Sequence, residues 1–168
     1  LKLTLLFALA FWYACVPTAD AKHLVGGSLT YDFLGTTPGG DHRYRIQMRI
    51  YRDARPPTTN FDDFIEIGVY EDDLDLNRDQ TIFIPYDSNE KQVSIPSGGS
   101  NCSFSPGFDF RQAIYEDTVV LPPSQFGYHL AHPRCCRNAP ANLVPNMGQW
   151  YYAFIPPTKR QNTSPDFN

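Results

Sequence analysis

Hydrophobic and polar residues alternate with a period of two along most of the chain after residue 22. In the stretch "RYRIQMRIYRD", the apolar side chains fall on one face of an extended strand and the arginines on the other. The apolar positions are Tyr44, Ile46, Met48 and Ile50. Such alternation is typical of a strand with one buried face, so the chain is predicted to be a β-protein.

Further strands are predicted in "HLVGGSLTYDFLG", "FIEIGVYE", "QTIFIPY", "KQVSIPS", "QAIYEDTVVLPP", "GYHLAHPRCCRN" and "QWYYAFIPP". The pair Gly26-Gly27 suits a bulge or bend, and Pro85 and Pro96 each end a strand. No stretch shows a sustained helical period. Short strands at this spacing predict a β-sandwich of about seven to eight strands with immunoglobulin-like or fibronectin-like packing. An isolated β-barrel is the alternative.

Composition supports one folded domain. The chain has 168 residues, of which 14% are aromatic, and this is too apolar for a disordered protein. The 15 prolines and 11 glycines favour turns over long helices. The net charge is -4 and no run of lysines or arginines occurs, which argues against a nucleic-acid partner.

The first residues have the pattern of an export signal. Lys2 provides a positive end, residues 3–16 are nearly all apolar, and Ala19-Asp20-Ala21 has the small-x-small form of a cleavage site. The apolar run is too short for a comfortable membrane span. A buried helix and a lipid anchor at Cys15 are the alternatives. The predicted division is a signal peptide over 1–21, a β-sandwich over 22–157 and a linker to a downstream region over 158–168.

Three cysteines remain after removal of the signal peptide, and two of them are adjacent. Cys135 and Cys136, with His129 and His132, have zinc-ligand side chains. However, in a strand the two histidines point to opposite faces, as do the two cysteines, so the ligands do not converge. In an exported protein a disulfide to Cys102 is the more typical use. Which of the adjacent cysteines pairs with Cys102 is left open, and one cysteine is left over.

The stretch "DDLDLNRDQ" resembles a calcium-binding loop. An EF-hand is rejected because Arg78 stands where the loop requires a glycine. A looser calcium site stays a weaker alternative to a solvated hairpin loop. Its candidate ligands are Asp72, Asp73, Asp75 and Asp79.

Tyrosines on the predicted strands are candidates for stacking on sugar rings. Carbohydrate-binding modules use exposed, coplanar aromatic rings on a sandwich face for this purpose. The alternative is that the rings pack in the core or under loops. The candidates are Tyr51, Tyr70, Tyr128 and Tyr151.

No catalytic residues are predicted. The chain contains no G-x-S-x-G, H-E-x-x-H or P-loop motif. Asp62, Asp63 and Glu66 could suggest glycoside chemistry, but nothing in the sequence places them across a cleft, and a solvated strand entry is the simpler interpretation. A hydrolase is therefore the least favoured hypothesis, and no cofactor is expected apart from the weak calcium alternative.

Several segments together resemble a known family. "KHLVGGSLTYDFLG", "YRIQMRIYRD", "IEIGVYE", "TVVLPPSQFGYHLAHPRCCRN" and "WYYAFIPP" occur in this order, and the "YRD" strand end and "RCCRN" are the most specific parts. The pattern is similar to the N-terminal region of large exported surface proteins of Bacteroidota. These often carry PKD-type repeats and a gliding-motility-associated C-terminal sorting domain.

The resemblance implies a modular β-rich protein that is exported and in many members passed across the outer membrane by the type IX system. It implies an adhesive or structural role and no catalytic residues. Family members often have cysteines where Phe33 and Ala54 stand, which suggests a dispensable bridge between the first two strands. A further family cysteine near Asp109 is also missing here.

The sequence thus predicts a non-enzymatic, secreted structural or adhesion domain of a larger protein on the outer surface of the cell. A carbohydrate-binding module is the alternative. The expected partners are a surface polysaccharide or protein ligand and neighbouring domains of the same chain, with no nucleic acid and no membrane span.

Overall fold

A computed structural model of the chain describes residues 24–54, 60–71, 80–93, 109–134, 148–157 and 163–164. Within these ranges the chain forms eight β-strands and no helix. The strands are β1 (Leu24–Thr36), β2 (His42–Asp53), β3 (Phe64–Glu71), β4 (Gln80–Pro85), β5 (Lys91–Val93), β6 (Phe110–Leu121), β7 (Tyr128–Arg134) and β8 (Gln149–Ile155).

The eight strands form two separate antiparallel sheets. Sheet A has the order β1-β2-β6-β5, and sheet B has the order β4-β3-β7-β8. With the strands lettered A, B, C, C′, D, E, F and G in chain order, these are the ABED and C′CFG sheets of an immunoglobulin-like arrangement. The prediction of an all-β sandwich is confirmed, and the barrel alternative is wrong.

The core lies between the inner faces of the two sheets. The alternation seen in the sequence places the predicted apolar positions of β2, β3 and β6 inside, each at most 5% exposed. Burying one such aliphatic side chain stabilises the fold by about 1.5–3 kcal/mol. These core positions are Tyr44, Ile46, Met48, Ile50, Ile65, Ile67, Val69, Tyr115, Val119 and Leu121.

The hydroxyl group of one core tyrosine forms a hydrogen bond to the backbone. The hydroxyl of Tyr115 donates to the carbonyl oxygen of Asp62 at 2.8 Å. Burial raises the pKa of Tyr115, and the neighbouring Tyr86 and Asp63 raise it further. The side chain therefore stays protonated and serves as a donor inside the sandwich.

The turn between β6 and β7 contains a tyrosine corner. Tyr128, at the start of β7, donates its hydroxyl proton to the carbonyl oxygen of Pro122 at 3.0 Å. Ser124 completes the turn, because its Oγ accepts the backbone N–H groups of Phe126 and Gly127. Gly127 has a φ of 95°, a conformation that favours glycine. This contact is a hallmark of immunoglobulin-like sandwiches and explains why Tyr128 is buried.

The predicted bulge lies directly before the glycine pair in β1, with Val25 as the extra residue. The register between β1 and β2 shifts between Leu24 and Gly26, so the bulge prediction is confirmed. At Gly27 the backbone approaches β2 so closely that a Cβ atom would clash with the carbonyl oxygen of Arg49 and lie 2.9 Å from Cε1 of Tyr151. At Gly26 nothing lies within 4 Å of the same position.

The bridge that the family resemblance suggested between positions 33 and 54 does not fit this fold. Phe33 pairs with Tyr44, whereas Ala54 follows the far end of β2. Tyr44 and Ala54 are ten positions apart along an extended strand, about 33 Å, and a disulfide requires Cα atoms within about 7 Å. Ala54 instead donates its N–H to the carbonyl oxygen of Asp109 at 2.7 Å. The suggestion of a bridge between β1 and β2 at these positions is therefore wrong.

The two adjacent glycines give a matched pair of variants. We expect Gly27→Ala to lower the free energy of unfolding by about 1–3 kcal/mol, because the added methyl group has no space beside the β2 backbone. Gly26→Ala is expected to change it by less than about 0.5 kcal/mol. Urea denaturation of both variants checks this, and equal effects would contradict the close approach at Gly27.

The tyrosine corner also predicts a stability difference. Tyr128→Phe leaves the ring in place but removes the hydroxyl, so that the Pro122 carbonyl loses its donor, and we expect a loss of about 1–3 kcal/mol. The control is Tyr51→Phe, because the Tyr51 hydroxyl accepts only a long, half-exposed bond of 3.3 Å from Gln112. Its effect is expected to be below about 0.5 kcal/mol. If urea denaturation gave both variants the same stability, the corner would not be a stabilising contact.

Candidate functional site

Two of the predicted sites lie outside the described residues. They are the disulfide candidates Cys102, Cys135 and Cys136 and the calcium candidates Asp72, Asp73, Asp75 and Asp79. Both stay predictions, as does the signal peptide over 1–21. None of the residues that the structure describes forms a helix long and apolar enough to cross a membrane. Within the same residues no three His, Cys, Asp or Glu side chains lie close enough together to hold a metal ion.

The two histidines of β7 point to opposite faces of sheet B, as their spacing predicted. The Nδ1 atom of His132 lies inside the sandwich, 2.6 Å from the carbonyl oxygen of Glu66. The ring of His132 also stacks on Tyr151, with centroids 6.0 Å apart. His129 lies on the outer face, where its Nδ1 is 2.6 Å from the hydroxyl of Tyr152. A common ligand for the two rings is therefore excluded by the strand geometry.

The four tyrosines proposed for sugar stacking do not form a row. Tyr128 and Tyr151 are both 6% exposed and belong to the core. Tyr51 is half-buried on the outer face of sheet A, beside its cross-strand partner Gln112. Tyr70 is half-buried on the outer face of sheet B, opposite His129. Of the four tyrosines, Tyr70 alone thus shares a face with the exposed aromatic side chains described next.

The outer face of sheet B carries a group of exposed aromatic side chains, which we call the aromatic face. Trp150 and Tyr152 project from β8 and are 70% and 56% exposed. Phe64 and Phe83 project from β3 and β4 and are 57% and 58% exposed. These are the four most exposed large hydrophobic side chains of the described residues, and all four lie on one sheet face. Exposed apolar side chains grouped on one surface are a common feature of interaction sites.

The aromatic residues of β7 and β8 support one another. The rings of His129 and Tyr152 stack with centroids 5.6 Å apart, and Phe154 lies 4.8 Å from His129. The bond between His129 and the Tyr152 hydroxyl restrains both rings. Trp150 lies two residues before Tyr152 on the same face, about 6.6 Å along the strand. The result is a row of rings along β8, in which Tyr152 and Phe154 contact His129 of β7.

A second aromatic group lies on the other half of the face. The rings of Phe64 and Phe83 meet edge to face with centroids 6.0 Å apart. Between the two groups, Gly68 of β3 pairs with Ala131 of β7. Neither residue has a side chain beyond Cβ, and both are buried. Four strands span about 14 Å, which sets the width of the face.

Polar groups border the aromatic face. Glu66 lies on β3 directly opposite Phe83. Gln149, at the start of β8, donates to the hydroxyl of Tyr151, and Arg134 forms an ion pair with Asp62 at the same end of the sandwich. Burial lowers the pKa of Arg134, and the nearby Tyr151 acts in the opposite direction. Because an arginine starts from a very high pKa, it stays charged and keeps Asp62 engaged.

The outer face of sheet A has a different character. Many of its side chains are polar and bond to one another across the strands, as in the pair Arg45–Asp32 at 2.5 Å and the bond from Gln47 to Glu116 at 2.6 Å. A groove of about 470 Å³ runs over this face. It is lined by Gln47, Asp87, Asn89, Lys91, Ile114 and Glu116. Such mutually satisfied polar side chains are typical of a solvated surface.

In comparisons with known proteins, no protein-family model, no curated protein and no solved structure matches this chain. The resemblance to exported surface proteins of Bacteroidota therefore stays a prediction. The function is argued from the fold and from the contrast between the two outer faces.

The sequence showed the members of the aromatic face but not their exposure. Period two places Trp150, Tyr152 and Phe154 on one side of β8 and Tyr151, Ala153 and Ile155 on the other. Both sides are apolar, so the pattern alone does not tell which side faces the core. The exposed side is the one that the stacking hypothesis left out.

Neighbouring residues of β8 test this assignment. We expect Trp150→Ala to change the free energy of unfolding by less than about 0.5 kcal/mol, because the side chain is exposed. Tyr151→Ala is expected to lower it by about 3–5 kcal/mol, because it leaves a cavity in the core. Chemical denaturation measures both values. A reversed order would mean that β8 presents its other side to the core.

Proposed function

We propose that this β-sandwich is a non-catalytic adhesion domain of a larger exported cell-surface protein, and that it binds a polysaccharide across the aromatic face. The observation that supports this most strongly is the placement of Trp150, Tyr152, Phe64 and Phe83 on one outer face. An exposed tryptophan ring keeps its apolar area in contact with water, which is less favourable in free energy than covering that area. A ligand that covers the rings removes this area from water and gains that free energy.

The chemistry of the face suits a carbohydrate. A sugar ring has an apolar side of C–H groups, which stacks on the electron-rich face of an aromatic ring. Its hydroxyl groups point outward from the ring edge and require hydrogen-bonding partners. The aromatic face offers both kinds of group, since His129 and the Tyr152 hydroxyl lie beside the β8 rings and Glu66 lies beside Phe83.

The shape of the face favours binding over hydrolysis. Glycoside hydrolysis requires two carboxyl groups on either side of the scissile bond, about 5–10 Å apart. Among the described residues, Glu66 is the carboxylate on the aromatic face, and Asp62 is held by Arg134 at the end of the sandwich. A single carboxylate on an open sheet face is suited to holding a ligand in place.

Binding to polysaccharides tests the proposal directly. The protein is screened against an array of neutral and anionic polysaccharides, and hits are measured by isothermal titration calorimetry. Trp150 is the single tryptophan of the chain from residue 22 onward, so its fluorescence reports occupancy of the face. We expect Trp150→Ala to weaken binding about tenfold and Tyr152→Ala about three- to tenfold, because each removes one stacked ring.

The matched control is Val120→Ala, which shortens an exposed apolar side chain on the outer face of sheet A. It is expected to leave the affinity unchanged. A polysaccharide that binds the Trp150→Ala variant as tightly as the original protein would place the site elsewhere. If no polysaccharide binds at millimolar concentration, a purely structural spacer domain becomes the better interpretation.

A further inference from the structure

The outer edge of β1 needs protection from other strands. β1 has 13 residues, and among the described strands it pairs with β2 alone, because it is the first strand in the order of sheet A. Its other side therefore presents a row of backbone N–H and C=O groups. An uncovered edge of this length is a template for pairing with another chain.

Two residues far along the chain lie against this edge. Ser164 donates its N–H to the carbonyl oxygen of Tyr31 at 2.9 Å, and its Oγ accepts the N–H of Tyr31 at 2.8 Å. The Oγ1 of Thr163 accepts the N–H of Phe33 at 3.3 Å. The backbone N–H and C=O groups of Tyr31, which point away from β2, are thus both bonded to Ser164.

The contacts depend on hydroxyl side chains. In a regular antiparallel pair, carbonyl oxygens of the added strand would accept the N–H groups of Tyr31 and Phe33. Here the hydroxyl oxygens of Ser164 and Thr163 accept these N–H groups instead. Two consecutive residues of the segment therefore bond to two residues of β1 that are two positions apart. Because Thr163 meets Phe33 and Ser164 meets Tyr31, the segment runs antiparallel to β1.

The edge is anchored to the core where the segment binds. The ring of Tyr31 is buried and meets Tyr44 edge to face with centroids 6.0 Å apart, so the backbone at Tyr31 is anchored to the core. Ser164 also lines a small polar groove of about 130 Å³ together with Asp32, Arg45 and other side chains of the outer face of sheet A. The segment thus lies against both the backbone edge and the polar surface beside it.

We propose that the outer edge of β1 is a binding site for an extended peptide segment bearing adjacent hydroxyl side chains, and that its occupant is Thr163–Ser164 of the same chain. The segment belongs to the region predicted as a linker. Docking aligns Thr163 and Ser164 antiparallel to β1 and blocks the edge at Tyr31 and Phe33 to strands of other molecules. The site is separate from the aromatic face of sheet B and does not rest on polysaccharide binding.

Amide hydrogen exchange, followed residue by residue by NMR, tests this site. In the double variant Thr163→Val/Ser164→Ala, both hydroxyl acceptors are gone while side-chain size is nearly kept. We expect the amides of Tyr31 and Phe33 to exchange about three- to tenfold faster, in line with the loss of one hydrogen bond each. The amides of Thr30 and Asp32 point towards β2 in the alternating ladder and are expected to keep their rates.

A second double variant is the matched control. Thr163→Ser/Ser164→Thr exchanges the two side chains but keeps both hydroxyl groups, and it is expected to retain the protection of both amides. Unchanged exchange in the hydroxyl-free variant would overturn the site. Equal loss in both variants would overturn the role of the hydroxyl groups.

Protein concentration distinguishes the occupant. A segment of the same chain protects Tyr31 and Phe33 equally at 20 μM and at 500 μM, and sedimentation at both concentrations shows a monomer. Protection that falls on dilution, together with a dimer at the higher concentration, would mean that the edge binds a second copy, and the assignment to the same chain would be wrong.

Discussion

The packing of two apolar inner faces against each other is the constraint on which the rest of this molecule depends. β2 and β6 of sheet A and β3 of sheet B each direct alternate aliphatic or aromatic side chains into the shared core. Side chains on a strand alternate strictly, so once the inner positions are occupied every outer position is determined as well. A shift of one residue in any of these strands would exchange core and surface.

That constraint produces two outer faces of opposite character. On sheet A many outward positions carry charged or amide side chains that bond to one another. On sheet B they include the four most exposed large hydrophobic residues of the described chain. The inner faces of both sheets are apolar, so core packing does not require the two outer faces to differ. This difference is the feature of the fold on which the proposed binding function rests.

Local backbone features close the sandwich at its edges and corners. The Tyr128 hydroxyl holds the turn between β6 and β7, and Gly27 lets β1 approach β2 and Tyr151 closely. Thr163 and Ser164 bond to the outer edge of β1 at Phe33 and Tyr31. Each contact satisfies backbone groups or uses space that a side chain would fill, so small changes at these positions affect the fold although they lie outside the main core.

The sequence by itself determined the class of the fold and the positions of its strands. Alternation is a local property, and it placed β3 at its observed bounds and identified the buried residues of β2, because adjacent residues of a strand must point to opposite sides. The opposite orientation of His129 and His132 followed from the same rule.

Tertiary structure decided which side of an evenly apolar strand is buried. Tyr151 and Trp150 are neighbours of similar hydrophobicity, and only the pairing of β8 with β7 turns Tyr151 inward and exposes Trp150. The sequence made Tyr128 a candidate for ligand stacking. In the fold its hydroxyl instead bonds to the backbone at the tyrosine corner. The contact between Ser164 and Tyr31 joins residues 133 positions apart. A local sequence pattern does not predict which distant residues bond to the edge of a strand.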